Sequence, residues 1–225
     1  MSVNEKMTAI ADAIRDKTGG TEALTLDDMA AEIPKVFEEG KQAEYDAFWD
    51  ALQDYGNKEG RNYHYKFCYN LWDDRTFNPK YPIICSEANT SASNMFYYNT
   101  LITDTKVPII VLGTNIAGFA YRAYRLVTIR ELNLNKNTKF NANSFQNCTA
   151  LENFNVTGTI GQNGFNVQWS TKLNKASIES IINALSAKES GLTVTLSQTA
   201  VNNAFTAEEW EALEATKTNW TIFLV

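Results

Sequence analysis

The sequence predicts an α/β chain: a short right-handed solenoid of stacked coils, preceded by a helical segment and closed by an α/β cap. Three observations point there. Apolar residues recur at helical spacing before residue 60. Chemically similar segments recur every 22 to 26 residues after residue 92. Residues 177–225 alternate helical and strand patterning. The expected organisation is a helical N-terminal segment over 1–60 for attachment or oligomerisation, an aromatic strand and crossing over 61–91, repeats over 92–176, and an α/β cap over 177–225.

In the head, Val3, Met7, Ile10 and Ile14 step by four, three and four, which is a helical stripe. Lys17, then Gly19 and Gly20, supply a C-terminal cation and residues free to take positive φ. Thr25 and Asp28 form a short capping box before Leu26, Met29 and Ile33, and Pro34 breaks that stripe. A third helical stretch runs from Val36 to about Tyr55 and is closed by Gly56 and Gly60. These helices carry too little apolar surface for a large core of their own. They either pack on the rest of the chain or pair with copies of themselves in a homo-oligomer.

From Asn62 the texture changes. Tyr63, Tyr65, Phe67 and Tyr69 alternate with His64, Lys66 and Cys68, a strand with one aromatic face. Core packing is the preferred role of that face over a ligand-stacking platform. Pro79 and Pro82 mark an irregular crossing.

The repeats are anchored at Met95, Phe119, Phe145 and Val167, with steps of 24, 26 and 22 residues. Ser170-Thr171-Lys172-Leu173 matches Cys148-Thr149-Ala150-Leu151 in kind. A coil of this size cannot bury its own apolar face, so coils must stack. Residues 86–174 hold 15 asparagines, many at expected corners such as Asn135, Asn141 and Asn147, where Asn tolerates left-handed backbone and bonds the turn. The cap begins with Ser177 as an N-cap for a helix bearing Ile178, Ile181, Ile182 and Leu185, stopped by Gly191. It continues with a strand of Leu192, Val194 and Leu196, a Thr206/Glu209 capping box for a helix with Trp210 and Leu213, and a last strand of Trp220, Ile222 and Leu224.

Phe145, Asn147-Cys148-Thr149, Leu151, Phe154 and Val156 together resemble the leucine-rich repeats of the BspA-like type. Ile181-Ile182-Asn183-Ala184-Leu185, Phe205-Thr206 and Lys217 to Trp220 resemble the closing segment of such proteins in phages and prophages of gut Gram-positive bacteria. Asn4-Glu5-Lys6, Ile10 to Arg15, Lys17-Thr18-Gly19 and Leu24 to Met29 resemble a segment found in phage tail-fibre and tail-associated proteins. The resemblance implies a leucine-rich-repeat fold and a tail-associated attachment role. Its expected partners are other phage tail proteins and a protein or cell-surface glycan, and its expected location is the virion or the host cytoplasm. A bacterial leucine-rich-repeat surface adhesin is the alternative, disfavoured by the lack of a signal peptide at the start of the sequence.

Composition narrows the chemistry. The chain has 225 residues, 44% hydrophobic and 20% charged, enough for one or two folded domains. Its net charge of −6 argues against a nucleic-acid partner or an anionic membrane surface. No apolar run approaches the roughly 20 residues needed to insert in a membrane. His64 is the lone histidine, which excludes sites needing two. Cys68, Cys85 and Cys148 form no C-x-x-C pair and are read as buried thiols; no metal is expected. In a strand His64 and Cys68 would lie roughly 13 Å apart, too far for a nucleophile and its base. The carboxylate pairs Asp73-Asp74, Glu38-Glu39 and Glu208-Glu209 read as solvated faces, and Gly158, Gly161 and Gly164 match no phosphate or dinucleotide fingerprint. No catalytic residue and no cofactor is therefore expected, with a glycan-processing enzyme as the minor reading. Binding is the stronger class. Tyr121, Arg122, Tyr124 and Arg125 make a compact aromatic–basic cluster, with Tyr97 and Tyr98 one coil earlier.

Overall fold

The computed structural model describes residues 8, 11–16, 73–74, 77–80, 82–85, 92–112 and 115–225. The expected helices over 20–60, the aromatic strand over 63–69, His64 and Cys68 lie outside them. The chain divides into two compact units, Met1–Phe48 and Trp49–Val225. In the first, residues 11–16 are helical, and Ala11 and Ile14 are buried, as the stripe predicts for Ile14.

The second unit is α/β with parallel sheets. In chain order it comprises β1 (Ile83–Cys85), β2 (Ile109–Val111), β3 (Thr128–Leu134), β4 (Asn153–Gly158), β5 (Phe165–Asn166), α1 (Lys175–Ala184), β6 (Leu192–Leu196), α2 (Gln198–Ala204), α3 (Ala207–Glu214), a 3-10 turn (Ala215–Lys217) and β7 (Trp220–Leu224). Strands β1 to β4 form one parallel sheet in that order, and β5, β6 and β7 form another. Ile83 pairs with Ile109, Ile109 with Leu132, and Leu132 with Val156, so the chain returns beside itself after 26, 23 and 24 residues. Strands β1 and β2 are mainly β-branched and alternate in burial: Ile83 and Cys85 point inward while Ile84 is 42% exposed. A register shift between Ile129 and Leu132 sets Arg130 and Glu131 against a single residue of β4, Asn155.

Opposite this strand wall runs a wall of turns. The same i to i+3 hydrogen bond closes at Phe96–Asn99, Ala120–Ala123, Phe145–Cys148 and Val167–Ser170, and a second follows at Ala123–Leu126, Cys148–Leu151 and Ser170–Leu173. In the first pass Asn99 replaces that second backbone bond, its Oδ1 accepting from the N–H groups of Leu101 and Ile102, both at 2.9 Å. Backbone bonds link one pass to the next: Phe96 N donates to Phe119 O, and Ala120 N to Ser144 O. This corrects the sequence anchors by one residue. Phe96 and Ala120, rather than Met95 and Phe119, stand level with Phe145 and Val167. Phe119 is still fully buried, one step along the chain.

The core fills the space between the walls. Phe77, Phe96, Phe119, Phe145 and Phe165 form a continuous run of rings with centroids 5.4 to 5.8 Å apart, and Phe145 meets Phe154 of β4 at 5.2 Å. Corners are asparagine turns: Asn115, Asn141 and Asn166 each accept from the N–H two residues on. Gly158 ends β4 at φ +76°, and a Cβ there would sit 2.2 Å from the Leu134 carbonyl oxygen.

After β4 the parallel sheet stops, because α1 takes the place of a fifth strand. Its N-cap is Asn174, whose side chain accepts from Ser177 N at 2.9 Å, not Ser177 as the sequence predicts. Ser177 has another use. Its Oγ accepts from Phe154 N at 2.8 Å, and Ser180 Oγ accepts from Val156 N at 3.0 Å and donates to Phe154 O at 3.0 Å. Two hydroxyls thus satisfy the β4 edge that another strand would have covered. The helix ends at Ala184, well before Gly191, because Leu185 rejoins the ladder beside Ile160. Lys217 Nζ donates to Leu185 O at 2.6 Å at this helix end, and burial lowers its pKa. Strands β6 and β7 and the Thr206/Glu209 capping box of α3 form as predicted. Helix α2, capped by Ser197, was not foreseen.

Candidate functional site

All six predicted site residues lie on the turn wall, in the first two passes. Bonds from Tyr98 N to Tyr121 O and from Arg122 N to Gln146 O fix the levels. Tyr97 stands level with Tyr121, and Tyr98 with Arg122. Tyr97 and Tyr121 stack at 5.1 Å with planes 27° apart, and Tyr98 meets both rings, at 4.7 and 5.5 Å. The Arg122 guanidinium lies 5.1 Å from the Tyr98 ring centroid and 5.2 Å from that of Tyr121, and its Nη1 donates to Tyr98 Oη at 2.6 Å. Its Nε is buried with no acceptor among the described residues. Burial pulls the Arg122 pKa down, but the phenol oxygens of Tyr121, Tyr98 and Tyr124 outweigh it, so the group sits above its ordinary value and stays charged.

The cluster therefore divides in two. Tyr97, Tyr98, Tyr121 and Arg122 are half-buried and packed on one another. Tyr124, 42% exposed, and Arg125 stand open to solvent. Backbone geometry marks the packed group as well. Tyr98 and Arg122 hold φ of +55° and +59°, a left-handed conformation unfavourable for large side chains, and the same level one pass later is filled by Asn147 at +64°.

The turn register adds a residue that sequence reasoning missed. Trp169 occupies the level of Tyr98, Arg122 and Asn147 in the fourth pass and is 40% exposed. Its signal was available: extending the match of residues 170–173 to 148–151 back by one position places Trp169 on Asn147.

Cys85 and Cys148 are buried, and burial pushes both thiols up to about 12, so they stay protonated at neutral pH. Cys148 Sγ donates to Ala120 O at 3.0 Å. Among the described residues, no group of three His, Cys, Asp or Glu side chains stands close enough to hold a metal ion, and no helix is long and apolar enough to cross a membrane. On the strand wall a shallow groove of about 450 Å3 is lined by Thr128, Arg130, Asn153, Asn155 and Asn174 among others. Most of its polar groups are already engaged. Arg130 Nε sits 3.0 Å from both Asp104 carboxylate oxygens, and Asn174 Nδ2 donates to Asn153 Oδ1 at 2.8 Å. No protein-family model, no curated protein and no solved structure matches this chain.

Proposed function

We propose that the second unit is a leucine-rich-repeat solenoid of the BspA-like type, and that the chain is a non-catalytic attachment protein of a phage or prophage tail. The recurrence of the same two turns at Phe96, Ala120, Phe145 and Val167 supports the solenoid, since each pass covers the apolar face of its neighbour. The resemblance of the head to tail-associated proteins supports the virion role. In this reading the head joins other tail proteins, and the turn wall contacts a cell-surface glycan or protein.

One observation carries the binding role: Tyr124 and Arg125 stand exposed in the chain just after Tyr121 and Arg122, whose own contacts are already made. A tyrosine has only two side-chain torsions to order on binding, so an exposed ring offers contact area at low entropic cost. On a glycan array the wild-type chain should be retained and Tyr124→Ala should bind about tenfold more weakly. Equal retention by the variant would remove the cluster from the site. Flanking baseplate, holin or lysin genes would support the tail role, and a sortase context would point to the adhesin.

A further inference from the structure

The net charge of −6 hides a division. Between residues 105 and 178 there are eight Lys and Arg residues and two carboxylates, Glu131 and Glu152, so this stretch is net +6 inside an acidic chain. The turn segments 92–102, 115–126, 139–151 and 161–173 contain no Asp or Glu at all. A surface evolved for solubility alone mixes both signs. Here one wall excludes one sign.

Two cations off this wall are paired with carboxylates, Arg130 with Asp104 and Lys175 with Glu209, while Lys136 is exposed. On the wall, Arg125 and Lys172 are exposed, and neither pairs with a carboxylate among the described residues. They share one level of the turn, in the second and fourth passes, as the turns closing at Ala123 and Ser170 align them. Stacked passes are spaced by about 4.8 Å, so the two backbone positions stand about 10 Å apart along the stack. Tyr124 immediately precedes Arg125, and Trp169 lies three residues before Lys172, giving each charge an exposed ring nearby in the chain. Gln146, Asn147, Thr149 and Gln168 supply neutral donors and acceptors between them. Rings that stack on sugar faces, amides that bond hydroxyls, and unpaired cations at spaced levels together define one ligand chemistry.

We infer that the turn wall binds an anionic glycan chain lying across the coils, with Tyr124 and Trp169 stacking on sugar rings and Arg125 and Lys172 meeting its carboxylates or phosphates. This deepens the attachment reading and rests on it. The test presents the full chain with neutral, carboxylate-bearing and phosphate-bearing polysaccharides at 50 and 200 mM salt. Retention should be confined to the anionic arms, fall severalfold at the higher salt, and fall about tenfold or more in Arg125→Ala/Lys172→Ala and in Trp169→Ala. Unchanged thermal midpoints would show that these variants fold. Comparing the carboxylate and phosphate arms identifies the source of the charge. Equal binding of neutral glycans, or full binding by the double variant, would overturn the anionic ligand and leave the attachment site standing provided Tyr124→Ala still weakens binding. Retention on no arm would overturn the glycan ligand and leave the attachment reading only its protein partner.

Discussion

The strand wall and the turn wall of the second unit are built from the same passes of chain, yet they invest their residues differently. On the strand wall, backbone pairs with backbone, and outward side chains bond one another: Glu131 accepts from Thr157 Oγ1 at 2.7 Å, and Arg130 grips Asp104. On the turn wall two large side chains, Tyr98 and Arg122, sit in left-handed backbone, while Tyr124, Arg125, Trp169 and Lys172 face solvent. The first wall is organised for cohesion. The second places Tyr98 and Arg122 in left-handed backbone within its packed ring cluster, a local cost met on the strand side, among the described residues, only at Lys106. The difference teaches that one pass of about 24 residues can carry a hydrogen-bonded face and an open face side by side.

That contrast can be broken from the core outward. Phe145 touches rings from both sides and is fully buried, so Phe145→Ala should cost about 3–5 kcal/mol in denaturant unfolding; a loss below 1 kcal/mol would mean the walls do not share one core. At the end of the strand wall, Gly158→Ala meets the Leu134 carbonyl and a disfavoured φ together, and should cost about 3 kcal/mol by the same measurement. Ser177→Ala leaves the Phe154 N–H without its acceptor, with an expected loss of about 2 kcal/mol and faster hydrogen exchange at that amide. Tyr124→Ala should leave stability within about 0.5 kcal/mol while weakening binding. A large loss of stability there would erase the distinction between the walls.

The smallest effect belongs to a surface pair. The Glu209 carboxylate is held below its ordinary pKa, first by the hydrogen bond from Lys175 and then by the Thr206 backbone. A depressed carboxylate stabilises the fold above its unfolded pKa, about 4.3, and that contribution is lost as pH falls through the folded value. A slight drop in Tm below about pH 4, diminished in Glu209→Gln, is expected.

Much of this was legible in the sequence, for identifiable reasons. Strand β7 alternates cleanly, and the Thr206/Glu209 box is a local signature, so both could be placed without tertiary information. The turn register could not be fixed to the residue, because Phe96 and Phe119 both enter the core from adjacent levels and either serves as an anchor. The role of Ser177 was hidden for a different reason. A serine near a helix start reads as a cap, and only its neighbour in space, the β4 edge, reveals what the hydroxyl bonds. The site cluster was legible because its residues are close in sequence. Trp169 shares its level only once the passes are aligned, and the local excess of cations disappears in the sum over the chain.

The helix seated where a fifth strand would lie has a consequence for how the sheet can end. Strands β1 to β4 join through the same kind of parallel seam, and only the last of them meets a helix. The two hydroxyls that finish the array need be encoded only once. The closure of the β4 edge then rests on Ser177 and Ser180 alone, whatever the length of the sheet that precedes it.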